Sequence, residues 1–170
     1  MTEYARLEIG DQAPDFTLLN HENKPISSAN LSGKKTILYF YPAAATPACT
    51  MEAVEFNNAL GVFGEAGYRV IGLSPDATAK LGKFHANQAL NFDLLSDPDH
   101  QVHQAYGAFG LKKLYGREYV GVLRSTVVID EAGAVQLALY NVKATGHVAM
   151  LSRLLGLVLP GSSDDGSAEK

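Results

Sequence analysis

The sequence predicts an α/β fold, a central mixed β-sheet flanked by helices. Two runs, TILYFY at residues 36–41 and YRVIGLS at 68–74, are largely apolar and stop at Pro42 and Pro75. Such runs read as strands buried on both faces, because polar alternation disappears when both faces meet a core. After each of them apolar residues recur every three or four positions, the period of a helix with one buried stripe. Residues 125–130 and 135–141 are further strands joined only by Glu131, Ala132, Gly133 and Ala134. A connection that short makes them an antiparallel hairpin, whereas strands linked through a helix run parallel, so the sheet is mixed.

In chain order, residues 1–15 are a lead-in punctuated by Ala13, Pro14 and Asp15. Residues 16–19 form a short strand and 20–23 a polar turn, and Pro25 and Ile26 open a partner strand, an N-terminal strand extension of the sheet. A Ser-Gly-Lys-Lys loop at 32–35 precedes the buried strand at 36–41. The next helix begins near Cys49, with Ala53, Phe56, Leu60 and Phe63 as its stripe and Gly64 and Gly67 as stop signals. The strand at 68–74 leads to a helix over 77–90 with Leu81, Phe84 and Gln88 inward, then a short strand at 93–96. Asp97, Pro98 and Asp99 suit a helix start: a capping oxygen, a proline at the first helical position and an acid at the positive end of the dipole. That helix runs to about Tyr106, and residues 107–121 read as a loop carrying Lys112, Lys113 and Arg117. The last helix, 145–159, places Val148, Leu151, Leu155 and Val158 on one face and ends at Pro160 and Gly161. Residues 1–160 are expected to form a single domain and the polar residues 161–170 a disordered tail.

The 170 residues are enough to bury a full core without disulfides or metals. A net charge of -4 with no Lys/Arg run argues against a general nucleic-acid binder. The start, MTEYARLEIGD, is too polar for a signal peptide, and no apolar run approaches a membrane span. One free thiol suits a reducing compartment, so a cytoplasmic protein is expected.

Cys49 is the only cysteine. Lone cysteines are commonly buried and inert. Its position argues otherwise, because it falls in the first turn of a helix that follows a buried strand. Backbone N–H groups and the helix dipole favour an anion there, here the nucleophilic thiolate. Reactive groups of α/β proteins also collect at the carboxyl ends of such strands. Read singly, Pro42 equally ends a strand, Thr46 equally caps a helix and Arg124 equally suits an ordinary surface. His100 and His103 lie near Asp97 and Asp99 but lack a convincing third metal ligand. The aromatic stretch at 39–41 reads as core.

Pro42, Thr46 and Cys49 have the spacing PxxxTxxC, the active-site pattern of the peroxiredoxins. Further stretches resemble the bacterioferritin-comigratory-protein, or Q-type, branch: GDQAPDFTL at 10–18, LLSDPDH at 94–100, YGR at 115–117 with Gly121, RST at 124–126 and VKATGH at 142–147. Together they span residues 8–159. The resemblance implies a thioredoxin-like fold over residues 1–160, and a thiol-dependent peroxidase for hydrogen peroxide and organic hydroperoxides that uses no metal or organic cofactor and works as a monomer. It also implies the site roles. Cys49 attacks the peroxide and becomes a sulfenic acid, Thr46 directs its hydroxyl at the thiolate or the peroxide, Pro42 shields the pocket, and Arg124 holds the thiolate and the peroxide oxygens. Thr46, Cys49 and Arg124 would bind the substrate. A cation near sulfur favours the thiolate, and arginine is always charged with donors in a fixed plane. Arg117 is the second candidate for that cation. Glu52, one turn after Cys49, matches the acid that the family usually carries there.

The sequence departs from that branch in one respect that matters. Many members carry a resolving cysteine five residues after the first, and here that position is Val54. Others carry it on the following helix, and residues 77–90 hold no cysteine. An external thiol must then return Cys49 to its starting state: thioredoxin, a glutaredoxin-like protein or a low-molecular-weight thiol. Ala43, Ala44 and Ala45 fill loop positions that are often polar in relatives. An alternative function is a redox sensor or binding module acting through mixed disulfides at Cys49. A cysteine hydrolase is a weaker one, since no histidine is placed in sequence as its base.

Overall fold

The computed structural model describes residues 5–114 and 116–159, so the expectations for Met1 to Tyr4, for Tyr115, and for Pro160 with the tail fall outside the described residues. The chain runs β1 (Thr17–Asn20), β2 (Pro25–Ser27), a 3-10 turn (Ser28–Leu31), β3 (Lys35–Phe40), α1 (Pro47–Asn58), α2 (Leu60–Glu65), β4 (Tyr68–Ser74) and α3 (Thr78–Asn87). It continues through β5 (Asp93–Ser96), α4 (Gln101–Ala105), β6 (Phe109–Leu114), β7 (Arg117–Val122), β8 (Ser125–Ile129), β9 (Val135–Leu139) and α5 (His147–Leu154). Seven strands form one sheet in the order β2-β1-β5-β4-β3-β8-β9. β3, β4 and β5 are parallel, joined by helical crossovers, while β1, β8 and β9 pair antiparallel to their neighbours.

The apolar run of β3 is continuous because both of its faces are covered. Ile37, Tyr39 and Tyr41 point to one face, with Ala53, Phe56, Phe63, Leu81, Phe84, Val148 and Leu151 from the helices packed there. Leu38 and Phe40 point to the other, where Phe16, Leu31, Val102 and Tyr106 close a second core. This is the strand alternation of period two, with helices above and a helix and loops below.

Four elements differ from the sequence reading. The helix after Cys49 is two segments, because at Ala59 the ladder tightens. The Ala59 N–H is shared between the carbonyls of Glu55 (3.2 Å) and Phe56 (3.0 Å). α4 starts three residues later than Asp97 would place it, after His100 in the left-handed region (φ 61). Asp97 still caps it, reaching forward to the N–H groups of Val102 (3.3 Å) and His103 (2.8 Å). Residues 107–121 are not a loop. They hold most of the hairpin β6–β7, which among the described residues pairs with no other strand and leaves apolar and polar side chains alike exposed, so no alternation marks it. The last helix is shorter. Gly156 (φ 76) takes the left-handed position, and the bonds Gly156 N–H to Arg153 O (3.0 Å) and Leu157 N–H to Ser152 O (2.8 Å) close a Schellman motif. Val158 consequently lies outside the helix, 76% exposed.

Gly72 of β4 faces Tyr39 across the β3–β4 ladder, and a Cβ there would stand 2.9 Å from the Tyr39 ring. Tyr39 is itself stacked on Phe56 at 4.3 Å between centroids. We expect Gly72→Ala to destabilise the protein by about 1–3 kcal/mol through overpacking. Urea unfolding measures this, and an unchanged midpoint would show that the Tyr39 ring moves aside freely.

Candidate active site

The site grows from the end of β3. The Tyr41 N–H still bonds the Leu73 carbonyl (3.0 Å), but Pro42 has no N–H to donate, so the ladder stops. Residues 43–45 turn the chain, with Ala45 left-handed (φ 67). Thr46 is extended (φ -88, ψ 155) at the N-cap, and Pro47 takes the first turn of α1, where a missing N–H costs nothing. The Thr50 N–H bonds the Thr46 carbonyl (2.8 Å), so the N–H groups of Ala48 and Cys49 precede the ladder of the helix. Cys49 therefore sits in the first turn, on the inward stripe with Ala53 and Phe56, and is 2% exposed.

Arg124 reaches this thiol from the opposite strand direction. It immediately precedes β8, whose Ser125 pairs with Phe40, so it stands at the same end of the sheet where β3 stops. One guanidinium nitrogen donates to Cys49 Sγ (3.4 Å) and the other to Glu52 Oε1 (2.5 Å). The Glu52 side chain is fully buried and that of Arg124 is 14% exposed. Burial pushes the Glu52 carboxyl up to about 7, against the pull of the guanidinium. Burial works against the charge on Arg124, but Glu52 and Cys49 outweigh it and hold its pKa above the usual arginine value.

The other sequence candidates divide. Thr46 stands beside the cysteine helix as its N-cap residue, yet its hydroxyl makes no cap bond and donates to the Ala43 carbonyl (2.7 Å). Pro42 is half-buried at the start of the same loop. Arg117 is exposed on β7, and the cation on the thiol is Arg124. His103 is buried, with Nδ1 on Asp97 Oδ2 (2.6 Å), and no group of three or more potential metal ligands exists among the described residues. Val54 lies half-buried on α1.

His147 is a site neighbour that sequence reasoning passed over. It opens α5, is 1% exposed, and pairs Nε2 with the Thr126 hydroxyl (2.7 Å). Burial, then the nearby Arg124 charge, lowers its pKa to about 4, so it is neutral at pH 7. The available signal was its place in VKATGH beside the start of a helix. Tyr39 and Tyr41, read as core, are core, but the Tyr39 hydroxyl lacks a hydrogen-bond partner among the described residues. Burial raises both phenols, which stay protonated.

Comparison with known proteins shows the family and the fold. The sequence matches the AhpC/TSA family over residues 9–138. The chain belongs to that family, among its Bcp-type peroxiredoxins. A Mycobacterium tuberculosis protein classed among the peroxiredoxins is 51% identical over 157 residues, covering 92% of this chain and 100% of the relative. Peroxiredoxin Bcp of Bacillus subtilis is 40% identical over 143 residues, covering 84% and 91%. The structure of the Xanthomonas campestris bacterioferritin comigratory protein, which concerns its alkyl peroxide reduction activity, superposes with a TM-score of 0.80 at 31% identity, covering 88% of this chain and 96% of that one. The fold is thus the thioredoxin-like peroxiredoxin fold, and the protein is a thiol-dependent peroxidase taking a peroxide and a thiol reductant such as thioredoxin. Among the described residues no helix is long and apolar enough to cross a membrane.

The buried acid makes a prediction about pH. A peroxiredoxin with the Glu52 carboxyl raised from 4.5 to about 7 binds a proton when folded that the unfolded chain has lost. Stability then falls as pH rises from about 4.5 to about 7, by on the order of 3 kcal/mol, and is flat with respect to this group above that window. Glu52→Gln removes the term. Chemical denaturation of both proteins across this range should give curves that diverge in slope, and parallel curves would show that Glu52 stays ionised throughout.

Proposed function

We propose that Cys49 is the peroxide-reactive thiol and that this chain reduces hydrogen peroxide and organic hydroperoxides through a Cys49 sulfenic acid. The observation that carries this reading is the Arg124 fork, with one arm on Cys49 Sγ and the other on Glu52. The thiolate attacks the terminal oxygen of the peroxide. An S–O bond forms as the O–O bond breaks, sulfur is oxidised by two electrons, and the departing oxygen takes a proton to leave as water or an alcohol. Arg124 stabilises the negative charge on sulfur before the attack and on the peroxide oxygens during it. The Cys49 N–H, ahead of the α1 ladder, adds a donor.

Thr46 contributes its oxygen. Since its proton is committed to the Ala43 carbonyl, its lone pairs remain to accept the proton of the peroxide O–H. Pro42 closes the loop side of the pocket with a ring that has no donor. Alkyl peroxide reduction in the similar Xanthomonas campestris protein supports organic hydroperoxides as substrates.

The return step uses an external thiol, because Cys49 is the only cysteine in the sequence and Val54 stands at the usual resolving position. One thiol displaces water from the sulfenic acid to give a mixed disulfide, and a second thiolate releases Cys49 and carries off the disulfide. Thioredoxin, a glutaredoxin-like protein or a low-molecular-weight thiol can each supply both equivalents. A reducing cytosol suits a lone free thiol of this kind.

Cys49→Ser should abolish peroxide consumption, and fast turnover in that variant would sink the proposal. Arg124→Ala should slow single-turnover oxidation by about 100-fold or more, as loss of a preorganised charge donor does. Mass spectrometry after one equivalent of peroxide should find a single added oxygen on Cys49 in the wild type, converted to a mixed disulfide by added thiol.

A further inference from the structure

We propose that Asp76 is a positioning residue for the peroxide reaction, holding the loop of residues 42–46 in place through the backbone N–H of Ala44. This rests on the reading that Cys49 meets the peroxide beside that loop. Asp76 lies in the turn between β4 and α3, outside the sequence motifs of the site. Its Oδ2 accepts the Ala44 N–H (2.7 Å) and the Ser74 hydroxyl (2.8 Å). The Ser74 hydroxyl oxygen in turn accepts the Asp76 N–H (3.3 Å), and the Asp76 carbonyl accepts the Ser96 hydroxyl (2.6 Å). The turns after β3 and β4 and the last residue of β5 are therefore tied together at one residue.

Ala44 is 1% exposed, so water cannot replace the carboxylate as acceptor of its N–H. The next residue, Ala45, holds a left-handed conformation (φ 67) that alanine adopts only when its surroundings fix it. Thr46 follows, and its hydroxyl folds back onto the Ala43 carbonyl. Removing the Asp76 carboxylate leaves a buried donor unpaired, which the loop can relieve only by moving. Movement displaces Pro42 and Thr46 relative to Cys49, while the Arg124 bond to sulfur comes from the residue before β8 and is untouched. The outer oxygen of Asp76 faces Lys80, half-exposed, at 3.2 Å.

The test separates oxidation from re-reduction in single turnovers, with hydrogen peroxide as oxidant and dithiothreitol as reductant. Asp76→Ala should slow oxidation of Cys49 by about 10-fold or more, as misplacement of positioning groups does. Re-reduction by dithiothreitol should keep the wild-type rate. Asp76→Asn should restore oxidation, since one amide oxygen can still accept from both Ala44 and Ser74. Lys80→Ala should leave oxidation unchanged. If Asp76→Ala does not fold, Asp76→Glu gives the same readout: it keeps the charge, shifts the acceptor by about 1.5 Å, and should slow oxidation alone. Wild-type oxidation in Asp76→Ala or Asp76→Glu, an Asn variant as slow as Ala, or a Lys80→Ala variant equally slow overturns the proposal. Absence of peroxide oxidation at Cys49 in the wild type would instead overturn the peroxide reading on which it rests.

Discussion

The Arg124 fork is the interaction on which the site depends. Its planar guanidinium spans two side chains one helical turn apart, Cys49 and Glu52, and so fixes the face that α1 turns toward β8. Glu52 has no exposed surface, and a carboxylate there is tolerable only with a charge partner. Arg124 is likewise mostly buried and needs anionic neighbours. Arg124 offsets only part of the cost of burying the Glu52 charge, whereas Glu52 and Cys49 together outweigh the burial of Arg124, and sulfur lies at the remaining arm of the fork. Removing either charged group would therefore disturb the thiol as well as its own partner.

The mixed sheet is what brings these groups together. Parallel pairing of β3 with β4 requires a helical crossover, which sets the N-terminus of α1 against the end of β3. Antiparallel pairing of β3 with β8 sets the start of β8 at that same end, with Phe40 opposite Ser125. Helix dipole and arginine thus converge on one thiol from opposite chain directions. Thr126, opposite Tyr39, carries the contact one step further into the core by bonding neutral His147. An all-parallel sheet would place the start of β8 at the far edge and leave the thiol with the helix dipole alone.

The fold is legible in the sequence where local signals and burial coincide. β3, β4 and β5 are legible because buried strands lose their polar residues, and the place of Cys49 in a first helical turn because a strand ends at Pro42 and an apolar helical period follows. Arg124 and Glu52 were reached through family motifs, not spacing, because 72 positions separate them and only the β3–β8 pairing brings them together. The hairpin β6–β7 was missed for a physical reason. Among the described residues it pairs with no other strand and leaves Leu111, Tyr119 and Val120 exposed, so burial wrote no pattern into it. α5 was overextended because Leu155 continues the apolar period while Gly156 ends the helix. Asp76 and His147 are tied in by hydrogen bonds to distant residues, which leave no periodic trace at all.

The three alanines of the site loop are consistent with the same geometry. Three contacts shape residues 43–46: the Ala43 carbonyl with the Thr46 hydroxyl, the Ala44 N–H with Asp76, and the Thr46 carbonyl with the Thr50 N–H. At Ala43 and Ala44 the loop's part is played by backbone atoms. Side chains at 43, 44 and 45 take no part in these bonds, so polar groups there are dispensable to the shape. Thr46 is different, because its hydroxyl is itself one of the contacts. Within PxxxTxxC the threonine supplies one of these contacts from its side chain, while the residues between Pro42 and Thr46 are held by what every residue carries.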